Sequence, residues 1–150
     1  MKLSIVIPIY NERNNISILV KKIHHVLENS KFEIIVIDDS STDGTAKILK
    51  NLKKKYPKFK FILRKEKERD LSKSCAEGFN KSKFDKIVVM DGDLQHDPKY
   101  IPIMLKKYNE NNCDIVVGAR DLIKKRVKSL SLFRQFSSYI IIKIFDIFFG

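Results

Sequence analysis

The residues best placed to do chemistry are Asp91 and Asp93, two carboxylates flanking Gly92, with Gln95, His96 and Asp97 close behind. Two acids and an amide oxygen in so short a stretch offer the hard oxygen donors that Mg2+ or Mn2+ prefers. Gly92 lets the backbone turn sharply or come close to a ligand. Taken alone, an Asp-x-Asp step reads first as a solvated turn and second as a metal corner. A calcium loop is the rival metal reading, because Asp91, Asp93, Gln95 and Asp97 alternate. It fails where such a loop needs glycine and has His96, and where it needs a final glutamate and has Pro102. A second cluster runs from Asp38 to Thr45. Ser41, Thr42 and Asp43 need no more than a helix cap to explain them. The adjacent acids Asp38 and Asp39 repel each other unless something binds them, and one of them can accept hydrogen bonds from a base or ribose. Pro8, Tyr10, Asn11 and Glu12 make a third cluster. The chain has no P-loop, no G-x-G-x-x-G and no G-x-S-x-G, so a bound diphosphate would need a metal to neutralise it.

The elements that must position these clusters alternate between strand and helix. Leu3–Ile9 and Phe32–Ile37 are apolar, largely β-branched runs, the pattern of strands buried on both faces. Phe59–Leu63 is a weaker third strand interrupted by Lys60, Lys86–Met90 a fourth, and Asp114–Val117 a short fifth. Between them, Ile16, Leu19, Val20, Ile23 and Leu27 recur at helical spacing, as do Ile48, Leu49 and Leu52 after the cap. Leu71, Cys75 and Phe79 mark another helix face, and Asp97-Pro98 opens a helix whose Ile101, Leu105 and Tyr108 face inward. Such alternation implies βαβ units and a parallel sheet, in which ligands bind beyond the carboxyl ends of the strands. The clusters after strands one, two and four should therefore meet on one edge.

The chain has 150 residues, 43% hydrophobic and 32% charged, which fits a single globular domain with a real core. A net charge of +12 favours anionic partners. The basic residues are mostly Lys on expected helix surfaces, without interleaved Arg and aromatic residues, so nucleic acid is not the expected partner. Cys75 and Cys113 lie in different elements without metal-ligand spacing and read as small buried side chains. The apolar run from Leu3 to Ile9 is too short for a signal-peptide core, and no apolar stretch reaches the roughly 20 residues of a membrane-spanning helix.

In order and spacing, Ile7-Pro8-Ile9-Tyr10-Asn11-Glu12 with Asn15, Asp38-Asp39-Ser40-Ser41-Thr42-Asp43-Gly44-Thr45 and Met90-Asp91-Gly92-Asp93-Leu94-Gln95-His96-Asp97-Pro98 closely resemble the family 2 glycosyltransferases of GT-A fold. Asp93-Leu94-Gln95-His96 and the later Gly118-Ala119-Arg120 look like that family's dolichol-phosphate mannose synthase branch. The resemblance implies an α/β, Rossmann-like and mostly parallel sheet flanked by helices, with residues 1–128 as the N-terminal part of a nucleotide-sugar-binding domain. It implies nucleotide-sugar contacts from Pro8, Tyr10, Glu12, Asp39, Asp91, Gly92 and Asp93. It also implies a divalent metal, Mg2+ or Mn2+, on Asp91, Asp93 and Gln95, and an acceptor-phosphate site of Arg120, Arg134 and Ser138. Asp93, Arg120 and Arg134 are then the catalytic set.

The implied reaction moves a sugar, with inversion, from a nucleotide diphosphate sugar of the GDP-mannose or UDP-glucose type to a polyprenyl (dolichyl or undecaprenyl) phosphate. A lipid phosphate is already anionic at neutral pH, so no general base is required. His24 and His25 are expected on a surface helix, and His96 is expected to position rather than react. The alternatives are a family 2 enzyme with a cell-surface glycan acceptor and a non-catalytic nucleotide-sugar-binding domain. In 129–150, Leu132, Phe133, Phe136, Ile140, Ile144 and Ile147 form one helical stripe, while Arg134 and Ser138 share another face. That helix is read either as interfacial, on the cytosolic face of a membrane, or as buried against further protein. Family members continue beyond this point, so the chain is expected to be truncated, with a partner chain as one source of the rest. Asp70 stands where the branch has glycine, and either repels a diphosphate or caps a helix starting at Leu71.

Overall fold

Strands β1 (Lys2–Ile9), β2 (Lys31–Asp38), β3 (Phe59–Leu63) and β4 (Ile87–Val89) form a parallel sheet in the order β3-β2-β1-β4 in the computed structural model. The structure describes residues 2–66, 68–111 and 113–118. Helices α1 (Ile16–Val26), α2 (Thr45–Lys55) and α3 (Leu71–Asn80) join successive strands, and a 3-10 turn (Pro98–Tyr100) leads into α4 (Ile101–Glu110). Asp97 caps that turn by accepting from the Lys99 N–H, with Pro98 behind it as expected. One core gathers Leu3, Ile5, Ile7 and Ile9 of β1 and Ile34 and Val36 of β2. It takes in Ile16, Leu19, Val20 and Ile23 of α1, Leu49 and Leu52 of α2, and Ile101 and Leu105 of α4. Each such side chain contributes about 1.5–3 kcal/mol relative to staying exposed, so the apolar stripe, more than propensity, makes α1 and α2 helical. The site-bearing carboxyl edge rests on this core.

The opposite face of β1 and β2 is covered by α3. Sequence spacing pointed to Leu71, Cys75 and Phe79 as its inner face, and the structure corrects this. Leu71 is 63% and Phe79 43% exposed, whereas Ser74 and Gly78 are buried. Gly78 lies so close to β1 that a Cβ there would stand 2.3 Å from Val6 Cγ1. A helix that approaches this closely must present small residues, and a count of large apolar ones looks at the wrong side. At the amino end of the same sheet face, Ser4 Oγ donates to Glu33 Oε1 (2.7 Å) and Lys60 Nζ pairs with Glu33 Oε2 (2.7 Å). Burial would raise the Glu33 carboxyl, but these donors and the Lys83 N–H hold it below its ordinary value. Lys60 thus does not weaken β3; it neutralises a buried acid.

Two further expectations fail. Residues 113–118 form no strand, and Ile115 and Val117 are 77% and 79% exposed, because no neighbouring strand among the described residues supplies a ladder. His24 is not a surface residue: its ring packs against Phe32 and Tyr56, with centroids 5.0 and 4.3 Å away. Its Nε2 is buried and meets no hydrogen-bond partner among the described residues. Burial, then the Lys58 ammonium, holds its pKa below the ordinary imidazole value. The unfolded chain therefore binds the proton more readily. Stability is full above about pH 6.5 and falls as the pH drops below it. Urea unfolding at pH 7.5 and 5.5 is expected to show this loss in the wild type, and a smaller one in His24→Phe.

Candidate active site at the carboxyl edge of the sheet

Of the loops that leave the carboxyl edge, those after β1, β2 and β4 each contain a non-glycine residue held at positive φ: Asn11 (57°), Ser40 (66°) and Leu94 (66°). Such residues cost of order 1–3 kcal/mol each and persist where surrounding contacts impose them. The contacts are visible. The Asn11 N–H donates to Ser41 Oγ (2.8 Å), and the Thr42 N–H donates to Asn11 Oδ1 (2.9 Å). The Arg13 N–H donates to Asp43 Oδ2 (3.1 Å). Asp43 Oδ1 takes the Thr45 N–H at the start of α2 (2.9 Å). The N-cap of α2 is Gly44, without a side-chain cap bond, and of the three residues expected to cap the helix only Asp43 reaches its start. Together Ser41, Thr42 and Asp43 fasten the β1 loop to the β2 loop.

Asp38 and Asp39 need no ligand to quiet their repulsion, which corrects the argument made from their adjacency. Asp38 Oδ1 accepts from the Ser41 N–H (3.0 Å). Asp39 Oδ1 accepts from Arg64 Nη1 (2.6 Å), and Asp39 Oδ2 from the Asp70 N–H (2.7 Å). Asp39 and Arg64 are 6% and 8% exposed. A buried pair of this kind is tolerable only when its remaining groups are satisfied. Here Arg64 Nη1 also donates to Ser74 Oγ (3.0 Å) and the Asp70 carbonyl (3.1 Å), and Nε lies 3.6 Å from Glu77 Oε2. Asp70 caps α3, accepting from the Lys73 N–H (2.9 Å), the contact that most strongly holds its carboxyl below the ordinary value. Of its two sequence readings, the helix cap is the one the structure contains.

Beside this cluster lies a cavity of about 220 Å³ lined by Pro8, Ile9, Tyr10, Asp39, Arg69, Leu71 and Ser74. The Arg69 guanidinium sits over the Tyr10 ring, 4.2 Å from its centroid. An aromatic face, a cation above it and a carboxylate in the wall suit a flat heteroaromatic group bearing N–H donors. Sequence reasoning brings Pro8, Tyr10 and Asp39 to this edge and misses Arg69, Leu71 and Ser74 in the wall and Arg64 behind it. The carboxyl-edge rule applied to β3 would have pointed to the loop after it, but its alternating Lys and Glu reads as a solvated turn.

The Asp91–Gln95 loop stands on the same edge but does not line that cavity. Gly92 fastens it, since a Cβ there would lie 2.6 Å from Ile9 Cγ2 and 3.2 Å from Glu12 Cγ. Glu12 is itself tied into the start of α1, its Oε2 accepting from Asn15 Nδ2 (2.8 Å). The Asp91 side chain is 57% exposed, with His96 Nδ1 3.6 Å from its Oδ2 and accepting the Asp91 N–H at 3.3 Å. Asp93 Oδ1 accepts the Gln95 N–H (2.9 Å), which sets the turn. No group of three or more His, Cys, Asp or Glu capable of holding a metal occurs among the described residues. Two carboxylates and the amide oxygen of Gln95 fit a hard cation that keeps waters and takes phosphate oxygens for the rest of its shell, as Mg2+ does. Cys75, half-buried on α3, feels the Asp91 charge; burial first and that charge second push its thiol up. Arg120, Arg134, Ser138 and the helix expected in 129–150 lie outside the described residues.

Comparison with known proteins agrees with this architecture. The sequence pattern described as Glycosyl transferase family 2 matches residues 4–148. The chain is 38% identical over 138 residues to a dolichol-phosphate mannosyltransferase from Pyrococcus furiosus, covering 92% of this chain and 38% of that protein. It is 34% identical over 125 residues to a dodecaprenyl-phosphate galacturonate synthase from Rhizobium johnstonii, covering 80% of this chain and 36% of that one. The chain thus spans well under half the length of these two relatives. Among solved structures, the mannosyltransferase PcManGT from Pyrobaculum calidifontis, in complex with GDP-Man and Mn2+, is similar with a TM-score of 0.53 and 24% identity, over 61% of this chain and 27% of that one. S. aureus TarS in complex with UDP-GlcNAc is similar with a TM-score of 0.62 and 18% identity, over 83% and 39% of the two chains. At those identities the likeness speaks for the GT-A fold alone. On the match along residues 4–148 and the 38% identity across most of its length, the chain belongs to glycosyl transferase family 2.

Proposed function

We propose that the chain holds the donor side of a glycosyl transfer, binding a nucleotide diphosphate sugar with a divalent metal, Mg2+ or Mn2+, for delivery to a polyprenyl phosphate. The observation that carries this is the cavity between Tyr10, Asp39 and Arg69, built on the same sheet edge as the paired acids Asp91 and Asp93. The base packs beside the Tyr10–Arg69 pair and meets the Asp39 carboxylate, while Pro8 lines the cavity and Glu12, on the loop after β1, lies beside it toward Gly92. Asp91, Asp93 and Gln95 hold the metal, with Gly92 keeping the loop against β1. When bound, the metal offsets charge on the diphosphate leaving group. The acceptor oxygen forms its bond to the anomeric carbon as the bond to the diphosphate breaks on the opposite side, inverting the centre. The acceptor oxygen carries its own negative charge, so no side chain needs to remove a proton.

The lipid acceptor is inferred from the two relatives named for polyprenyl-phosphate chemistry. Arg120, Arg134 and Ser138 are assigned to its phosphate, since the guanidinium fork matches phosphate oxygens. Such an acceptor implies work at a membrane surface, which this reading takes to be its cytosolic face. No helix among the described residues is long and apolar enough to cross a membrane. Thermal unfolding tests the donor reading. At about tenfold excess over Kd, a ligand adds about 1.4 kcal/mol, several °C for a unit of this size. GDP-mannose or UDP-glucose with Mn2+ is expected to raise Tm by that much, and EDTA to remove most of the gain. No shift with either sugar nucleotide at millimolar concentration overturns the reading.

A further inference from the structure

We infer that Arg64 is a positioning residue for the nucleotide, setting the wall of the Tyr10–Asp39 cavity through the start of α3. The inference rests on the nucleotide reading of that cavity. Arg64 stands one residue beyond β3, and its N–H extends the sheet by donating to the Asp38 carbonyl (2.9 Å). Its guanidinium is buried and joins three parts of the chain: Asp39 at the end of β2, the Asp70 carbonyl at the cap of α3, and Ser74 one turn into that helix. Two of these, Asp39 and Ser74, line the cavity, and Arg69 and Leu71 of the same wall flank Asp70. The Asp70 N–H closes the ring by donating to Asp39 Oδ2. Arg64 does not line the cavity. It therefore acts through others: the direction of the Asp39 carboxylate and the seat of Arg69 over Tyr10 depend on where the guanidinium holds the α3 cap. Nη1 makes all three of the bonds to Asp39, Asp70 and Ser74 while Nε lies 3.6 Å from Glu77 Oε2, and a lysine, with a single ammonium, cannot hold both positions. The Asp91–Gln95 loop is fastened by Gly92 against Ile9 and Glu12, contacts in which Arg64 takes no part.

That separation supplies a test that a merely structural role would not pass. Binding of Mn2+ with GDP, Mn2+ with UDP and Mn2+ with pyrophosphate is measured by calorimetry on the full chain, below the unfolding range of each variant. Arg64→Met is expected to weaken the better-bound nucleotide by about tenfold, the scale of one lost charge-assisted hydrogen bond, and to leave pyrophosphate within about twofold. Arg64→Lys should fall between wild type and Arg64→Met. Equal loss for nucleotide and pyrophosphate, or a folded Arg64→Met with unchanged nucleotide affinity, overturns the inference. Should Arg64→Met not fold, Ser74→Ala removes one guanidinium partner and with it one hydroxyl of the cavity wall. It is expected to weaken the nucleotide about threefold and not pyrophosphate, and no change there overturns the inference equally. Wild type that binds pyrophosphate but neither nucleotide sinks the cavity reading itself, an outcome separate from any comparison of variants.

Discussion

Replacing Gly78 with valine is expected to lower the stability of the chain by about 3 kcal/mol, at the upper end of what an overpacked core costs. Domains of this size are stable by only about 5–15 kcal/mol, so the loss is a large fraction of the whole. The reason is local geometry. A Cβ at Gly78 would stand 2.3 Å from Val6 Cγ1 and 3.2 Å from Cγ2, and Val6 is fully buried in a central strand. Valine brings two further methyl groups into the same space, so α3 must lift off the sheet. Alanine at this position is the milder case, because about 1 kcal/mol of helix propensity offsets part of the clash. The partner substitution sharpens the test. Val6→Ala alone leaves a cavity and costs about 2 kcal/mol, but beside Gly78→Val it makes room. The double variant should lose clearly less than the sum of the two, a coupling read from urea midpoints. Strict additivity, or a Gly78→Val chain as stable as wild type, would show that α3 does not sit this close.

The same contact explains why some of the structure was legible in the sequence and some was not. β1 and β2 are buried along all but their first residue, and their apolar runs say so directly. The stripe of α1 was equally plain, because Ile16, Leu19, Val20 and Ile23 are large and recur at helical spacing. α3 packs through Ser74 and Gly78, residues that carry no hydrophobic signal, so the pattern drew attention to Leu71 and Phe79 on the outside. Asp38 and Asp39 do stand at the carboxyl end of β2, as their place after an apolar run implies, but they are not acids lacking a partner. Their partners, Ser41 and Arg64, were respectively taken for a simple cap and passed over in a charged loop. Local clusters report where a site lies. The contacts that set its shape reach across 25 residues from Arg64 to Asp39 and 31 from Asp70 to Asp39, and no spacing rule reports those.

Asp93→Asn is expected to leave the fold unchanged and to weaken Mn2+-dependent nucleotide binding by about a hundredfold or more. Removing a group one shell away from a metal already costs about 10–100-fold, and Asp93 is assigned to the metal itself. Asparagine keeps an oxygen where Asp93 Oδ1 accepts the Gln95 N–H, so the turn that carries Leu94 at positive φ survives. What is lost is one of only two carboxylates in a donor set whose remaining member is an uncharged amide. Asp91→Asn should behave similarly for the metal. The base cavity belongs to other residues, Tyr10, Asp39 and Arg69. Nucleotide affinity measured in EDTA should therefore be the same in wild type and Asp93→Asn, and the two should diverge only as Mn2+ is added. A variant that keeps the full Mn2+ effect would remove Asp93 from the metal corner. One that loses nucleotide affinity in EDTA as well would show that the two corners share one rigid loop.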